Sequence, residues 1–181
     1  MDRAQDGGDN GNAGYGVSEP AMQRADPLAF RQAASRFATG VAVLTALDLH
    51  GEACGMTANS FVTISLSPPT VLVSVKSGRT HDAVSASRRY GVNVLPEQAK
   101  ALSKHFADRS REAFPGYDIV DGLPRLSNCV AFFACEVIRT IDVSDHTLFI
   151  AEVSTCDYCD SLPLVFFSSR YHLGPGQPVD H

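Results

Sequence analysis

Val41-Ala42-Val43-Leu44-Thr45-Ala46-Leu47, followed by Asp48-Leu49-His50-Gly51, is the stretch on which the fold turns. An apolar, β-branched run enters a polar segment that ends in Gly, and a second run, Ala53 into Met56, comes back. This spells a strand, a turn and a returning strand. Upstream, Asp26 can cap a helix and Pro27 suits its first position. Leu28, Phe30, Ala33, Ala34 and Phe37 recur at helical spacing, and Gly40 is expected to stop that helix. Downstream, residues 61–65 alternate as a strand, Ser67-Pro68-Pro69 makes a turn, and Thr70 to Val75 forms the next strand. A short helix over Thr80 to Ser87, a strand over Tyr90 to Leu95 and a helix opened by Pro96 follow. Residues 107–128 read as a long polar loop, and strands at Val130 to Ile138, Thr147 to Val153 and Leu164 to Phe167 close the domain. Six or seven strands at hairpin spacing predict a mainly β fold, a closed antiparallel barrel with a few short helices, over a doubly wound sheet. No Gly-x-Gly-x-x-Gly follows a strand, which argues against a Rossmann nucleotide site.

The chain has 181 residues, enough for one domain, expected over 26–173. Residues 1–25 are rich in Gly, Asp, Asn and Gln and are expected to form a flexible tail; 174–181 read as a second loose end. The net charge of −5 gives no general attraction to nucleic acid or anionic lipid. No apolar run reaches the ~20 residues of a membrane span, and no basic segment precedes an apolar one, so a cytoplasmic protein is expected. The five cysteines are an odd, scattered set, unlike a disulfide framework. Cys156-Asp157-Tyr158-Cys159 has zinc-knuckle spacing, but a closed site needs two more ligands, and only the isolated Cys129 and Cys135 are near; no metal is expected.

Two blocks carry chemistry. Gly55-Met56-Thr57-Ala58-Asn59-Ser60-Phe61 interrupts two strands with small and polar residues, offering hydroxyls, an amide and backbone N–H groups. On composition alone it reads first as a β-bulge or turn and second as a cofactor site. Val73-Ser74-Val75-Lys76-Ser77-Gly78-Arg79-Thr80-His81 ends a strand in cations and hydroxyls at a helix start, which suits a phosphate and equally suits an exposed basic turn capped by Thr80. Lys100 and Lys104 with Asp108, Arg109 and Arg111 read as a solvated helix end, His105 as a surface or capping residue, and His146 as a solvated turn histidine.

These blocks, in this order, resemble the short-chain flavin reductases with an FMN-binding split-barrel fold. Phe37-Ala38-Thr39-Gly40-Val41-Ala42-Val43-Leu44-Thr45 is similar to that family's opening strand, and its Gly-Met-Thr-Ala-Asn-Ser-Phe block stands whole at 55–61. Ser65 to Val75, Tyr90 to Leu95, Leu102 to Ala107, Asp145 to Val153 and Leu164 to Tyr171 match in order, so that the resemblance spans roughly Leu28 to Leu173. Ala151 stands where a Gly is usual, and Ser168-Ser169 where Arg-Gly is, both touching the expected nicotinamide subsite.

The resemblance implies an enzyme that moves a hydride from NADH or NADPH to FMN or FAD and supplies reduced flavin to a partner monooxygenase. It implies a homodimer with flavin at the interface. Met56, Thr57, Ala58, Asn59 and Ser60 would line the ring and ribityl chain, with Ser74, Val75 and Lys76 alongside. Ser77, Arg79 and Thr80 would sit near the phosphate, Phe106 and Ala107 would close over the flavin tail, and His146 and Tyr171 would meet the nicotinamide, with His146 as the catalytic candidate. A non-catalytic flavin carrier and a split-barrel flavin oxidase are the rival expectations.

Overall fold

A computed structural model describes residues 24–108 and 115–174. Except for Arg24, Ala25 and Gly174, the two expected tails lie outside the described residues, as do Arg109 and Arg111. In chain order the elements are α1 (Pro27–Ala34), β1 (Thr39–Gly40), β2 (Ala42–Leu47), β3 (Ala53–Ala58), β4 (Val62–Leu66), β5 (Pro69–Lys76), α2 (Arg79–Ser87), β6 (Arg89–Val94), α3 (Lys100–Ala107), β7 (Tyr117–Val120), β8 (Leu123–Leu126), β9 (Ala131–Val143), β10 (His146–Tyr158), β11 (Leu164–Phe167) and β12 (Arg170–Leu173).

Asp26 caps α1 by accepting from the Ala29 N–H at 2.8 Å, with Pro27 at the start, as expected. The helix ends at Ala34, however, and Gly40 lies in β1, paired with β11, so it is not the helix stop. No residue of α1 is buried, and Leu28 and Phe30 are largely exposed. α3 also starts later than expected, at Lys100, because Pro96 is taken up in a bridge to Pro163.

The main sheet runs β3-β2-β6-β9-β10-β5-β4, with every pairing antiparallel. β2 is buried on both faces, which explains its unbroken apolar sequence. Its alternate residues feed two cores: Ala42, Leu44 and Ala46 pack with Val73, Val75, Val92 and Phe149, while Val43 packs with Leu95, Phe106, Leu126 and Leu164. The edge strands β3 and β4 are not paired with each other, so the expected closed ring of strands is open among the described residues.

The expected loop over 107–128 contains the β7–β8 hairpin. Its turn, Asp121-Gly122, has φ of 48° and 71°, the left-handed pair that a two-residue hairpin loop requires. A buried amide holds the hairpin down: Asn93 accepts from the Leu126 N–H at 2.8 Å and donates to Val43 O and Thr45 Oγ1. Leaving such groups unpaired in the core would cost about 1–3 kcal/mol each. Among the described residues no helix is long and apolar enough to cross a membrane.

Candidate functional site

The block 55–61 does not interrupt the sheet. Gly55 to Ala58 are the second half of β3, and only Asn59 to Phe61 form the link to β4. Gly55 is required by a close approach: a Cβ there would lie 2.9 Å from Leu44 O and 3.0 Å from the Phe106 ring. α3 therefore packs directly on β3, and Thr57 Oγ1 donates to Ser103 O at 2.6 Å. The fully buried Ser103 hydroxyl meets Tyr171 OH at 3.0 Å. Lys100 Nζ stands 6.0 Å above the Tyr171 ring, and Phe166 packs edge-on against that ring. Thr57, α3 and Tyr171 thus form one connected unit.

Phe106 is buried beneath α3, against Gly55, as part of the second core. Its ring packs there, whereas Ala107 is exposed at the helix end. Val75 is fully buried in the main core, so only its backbone can face a ligand. Thr80 is not the cap of α2; Gly78 holds that position, and Thr80 is buried against Cys54.

Ser60 crosses from the β3–β4 link to β5, donating to Ser74 O at 2.9 Å and accepting from the Ser74 N–H at 3.1 Å. Along β5, Ser74 and Lys76 share the face opposite the buried Val73 and Val75. Lys76 lies across from His146 on β10. Between them, Asp145 accepts from Lys76 Nζ at 2.9 Å and contacts His146 Nδ1 at 2.8 Å. The Lys76 ammonium and then the His146 contact hold the Asp145 carboxyl down to about 2. Ala151, by contrast, points into the main core with Phe149, on the other face of β10 from His146. Ser168 and Ser169 form the β11–β12 turn with φ of 48° and 59°.

Arg79 is held by the β2–β3 turn. Its guanidinium contacts Asp48 Oδ2 at 2.7 Å and Glu52 Oε2 at 2.9 Å. The Arg79 hydrogen bond lowers Asp48 from the usual carboxylate range and raises the guanidinium in turn.

Ala58 and Asn59 line a cavity of about 400 Å³, closed on one side by Phe37 to Ala42 and on the other by Phe61 to Thr63. Its walls are mostly apolar, and the exposed Asn59 stands at its edge. Thr39 Oγ1 is buried there with no hydrogen-bond partner among the described residues. A volume of this size, apolar walls and a few polar groups suit a flat heterocycle with a polar edge. Thr39 lies in the opening strand, and nothing in the neighbouring sequence singles it out. Also unforeseen was His81, whose Nε2 reaches Thr147 Oγ1 at 3.0 Å. No group of three or more His, Cys, Asp or Glu side chains suited to a metal occurs among the described residues, and Cys156 and Cys159 are exposed free thiols.

The flavin reductase like domain family model matches residues 34–174. An NADH-dependent flavin reductase from Pseudomonas fluorescens is 49% identical over 155 residues, covering 83% of this chain and 91% of the relative. An NADH-dependent flavin reductase from a Rhodococcus species is 34% identical, covering 84% of this chain and 91% of the relative. Among solved structures, the styrene monooxygenase flavin reductase of Pseudomonas putida aligns with a TM-score of 0.78 at 50% identity, covering 83% of this chain and 99% of that one.

Proposed function

Because the chain belongs to the flavin reductase like family, we propose that it is an NADH-dependent flavin reductase working as a split-barrel homodimer, with FMN or FAD bound beside the 55–61 block at the interface. It reduces flavin and supplies it to a partner monooxygenase, the role named for its styrene monooxygenase relative. The observation that carries the site is the cavity of about 400 Å³ bordered by Ala58, Asn59 and the unpartnered Thr39 hydroxyl.

In this reading Met56 to Ser60 hold the flavin ring and ribityl chain through backbone N–H groups and the Asn59 amide. Thr57 and Ser60 act by bracing the block, since their hydroxyls already bind Ser103 O and Ser74. Flavin supplies the hydride acceptor when bound. Donors along its polar edge favour the reduced form, because reduction places negative charge there. Ser74 and Lys76 flank the ring, and Ser77, Arg79 and Thr80 mark the phosphate end, where Arg79 reaches an anion only by leaving Asp48 and Glu52. His146 orients the nicotinamide from the β9–β10 tip, and Tyr171, held against Ser103 and Phe166, meets it from elsewhere in the dimer. The chain's contribution is proximity and electrostatics.

Stopped-flow mixing of the flavin-loaded protein with NADH tests the reading. Rapid bleaching of the flavin absorbance is expected; no bleaching would reduce the chain to a carrier. Asn59→Leu should weaken flavin binding by about 1–3 kcal/mol with the fold intact. Unchanged affinity would remove the 55–61 block from the site.

A further inference from the structure

We infer that His81 is a positioning residue for the nicotinamide site, acting through Thr147 on the hairpin tip that carries His146; this rests on the reading of His146 given above. The tip is short: β9 ends at Val143, β10 begins at His146, and Ser144 takes a left-handed φ of 56°. Most side chains around it are exposed. Its base is fixed by Thr147, which pairs with Asp142 on β9 and with Val75 on β5.

Thr147 Oγ1 has one proton and gives it to Asp142 Oδ1 at 2.8 Å. Toward His81 that oxygen can only accept, so the His81 Nε2 at 3.0 Å carries the hydrogen. The His81 ring also stands edge-on to the fully buried Phe149, 5.6 Å between centroids; Nδ1 lies 3.1 Å from Asp82 Oδ1, a contact that is a hydrogen bond only when both ring nitrogens carry hydrogen. A helix residue 66 positions away in sequence thereby ties both strands of the hairpin to α2, one residue from His146. The tip is also held by the ladder, where His146 pairs with Lys76 and with Val143, and by the Ser77 N–H donating to Asp145 O at 3.4 Å; the Lys76–Asp145 ion pair is solvent-exposed and adds little rigidity. A nicotinamide held by an imidazole at a tip depends on where that tip stands, and a displacement of an ångström is enough to spoil a near-attack geometry.

The test is a steady-state and flavin-titration series on the full chain. His81→Leu keeps apolar bulk against Phe149 and removes the donor; Thr147→Val removes the hydroxyl at constant shape. Both should raise the NADH KM about three- to tenfold, the scale of one hydrogen bond, with a smaller change in kcat and unchanged flavin affinity. His81→Gln, which restores an N–H donor, should recover most of the loss, which a general packing role would not allow. In the double variant with His146→Asn, the His81→Leu effect should vanish, because it acts through His146. If His146→Asn is impaired while His81→Leu and Thr147→Val match wild type, or the two effects simply multiply, the inference is overturned. If His146→Asn itself matches wild type, the nicotinamide reading of His146 falls first and carries this one with it.

Discussion

Arg79 is the residue at which two roles compete. Its guanidinium bridges Asp48 and Glu52, so bracing the β2–β3 turn and binding a phosphate draw on the same group. Arg79→Ala should weaken FMN more than riboflavin, which has no phosphate, and Asp48→Asn should tighten FMN by freeing the guanidinium. Equal losses for FMN and riboflavin in fluorescence titrations would leave Arg79 as a turn brace only. Asp145 gives a cleaner pH prediction. Its folded carboxyl is held at about 2, below the ordinary value of 3.8. The depressed group contributes stability that is fully present above the unfolded value and is lost as pH falls through that window toward 2. In acid-unfolding curves followed by circular dichroism, Asp145→Asn should flatten the slope in that range and lower neutral stability by the same amount, which is small because the group is exposed. An unaltered acid slope would show that the Lys76–Asp145–His146 contact does not persist in solution. At this scale the sequence singled out Asn59 and Ser60 by motif, and the structure puts Asn59 at the cavity and ties Ser60 to Ser74. It was silent on His81–Thr147 and Thr45–Asn93, because nothing local marks a partner 66 or 48 residues away.

At the scale of elements, the strands that feed the core were legible from their apolar runs: β2, β5 and β6 fall within a residue or two of expectation. The β7–β8 hairpin was not, although Asp121-Gly122 is a strong turn signal, because Tyr117-Asp118-Ile119-Val120 is mostly exposed and lacks a core pattern. β9 and β10 run past their expected ends, since their outer halves are exposed and carry Arg139, Asp142 and Asp157, which read as loop. Helix α3 is set by a contact that composition cannot reveal, the fit of Phe106 over Gly55. Gly55→Ala should cost about 1–3 kcal/mol, because the new methyl would lie 2.9 Å from a backbone oxygen that cannot move aside like a flexible side chain. Thermal unfolding measures that loss. Since α3 also receives Thr57 and Tyr171, flavin affinity should fall with it. A variant as stable as the parent would mean that α3 shifts freely on β3.

The whole molecule leaves apolar surface uncovered in a pattern. On the edge strand β4, Val62, Ile64 and Leu66 are 53%, 52% and 91% exposed, with a bulge between Thr63 and Ser65. The outer half of β9 adds Ile138, Ile141 and Val143, and α1 exposes Leu28 and Phe30. An exposed, uncharged edge strand in a monomer invites pairing with other chains, and natural proteins blunt such edges or cover them. The proposed homodimer supplies the cover, and a stable interface of this kind buries about 800 Å² on each partner. Val62 and Thr63 also line the cavity beside Asn59, so β4 links the exposed face to the proposed flavin site. Ile64→Glu introduces a charge where the monomer already exposes the side chain, and should leave the isolated fold intact. Light scattering after size exclusion should then shift the variant from dimer toward monomer, with flavin affinity and NADH-driven bleaching falling together. A circular dichroism melt that stays cooperative would separate this outcome from misfolding. If the parent chain ran as a monomer and still reduced flavin at full rate, the site would be complete within one chain. The exposed apolar residues of β4 would then need another partner.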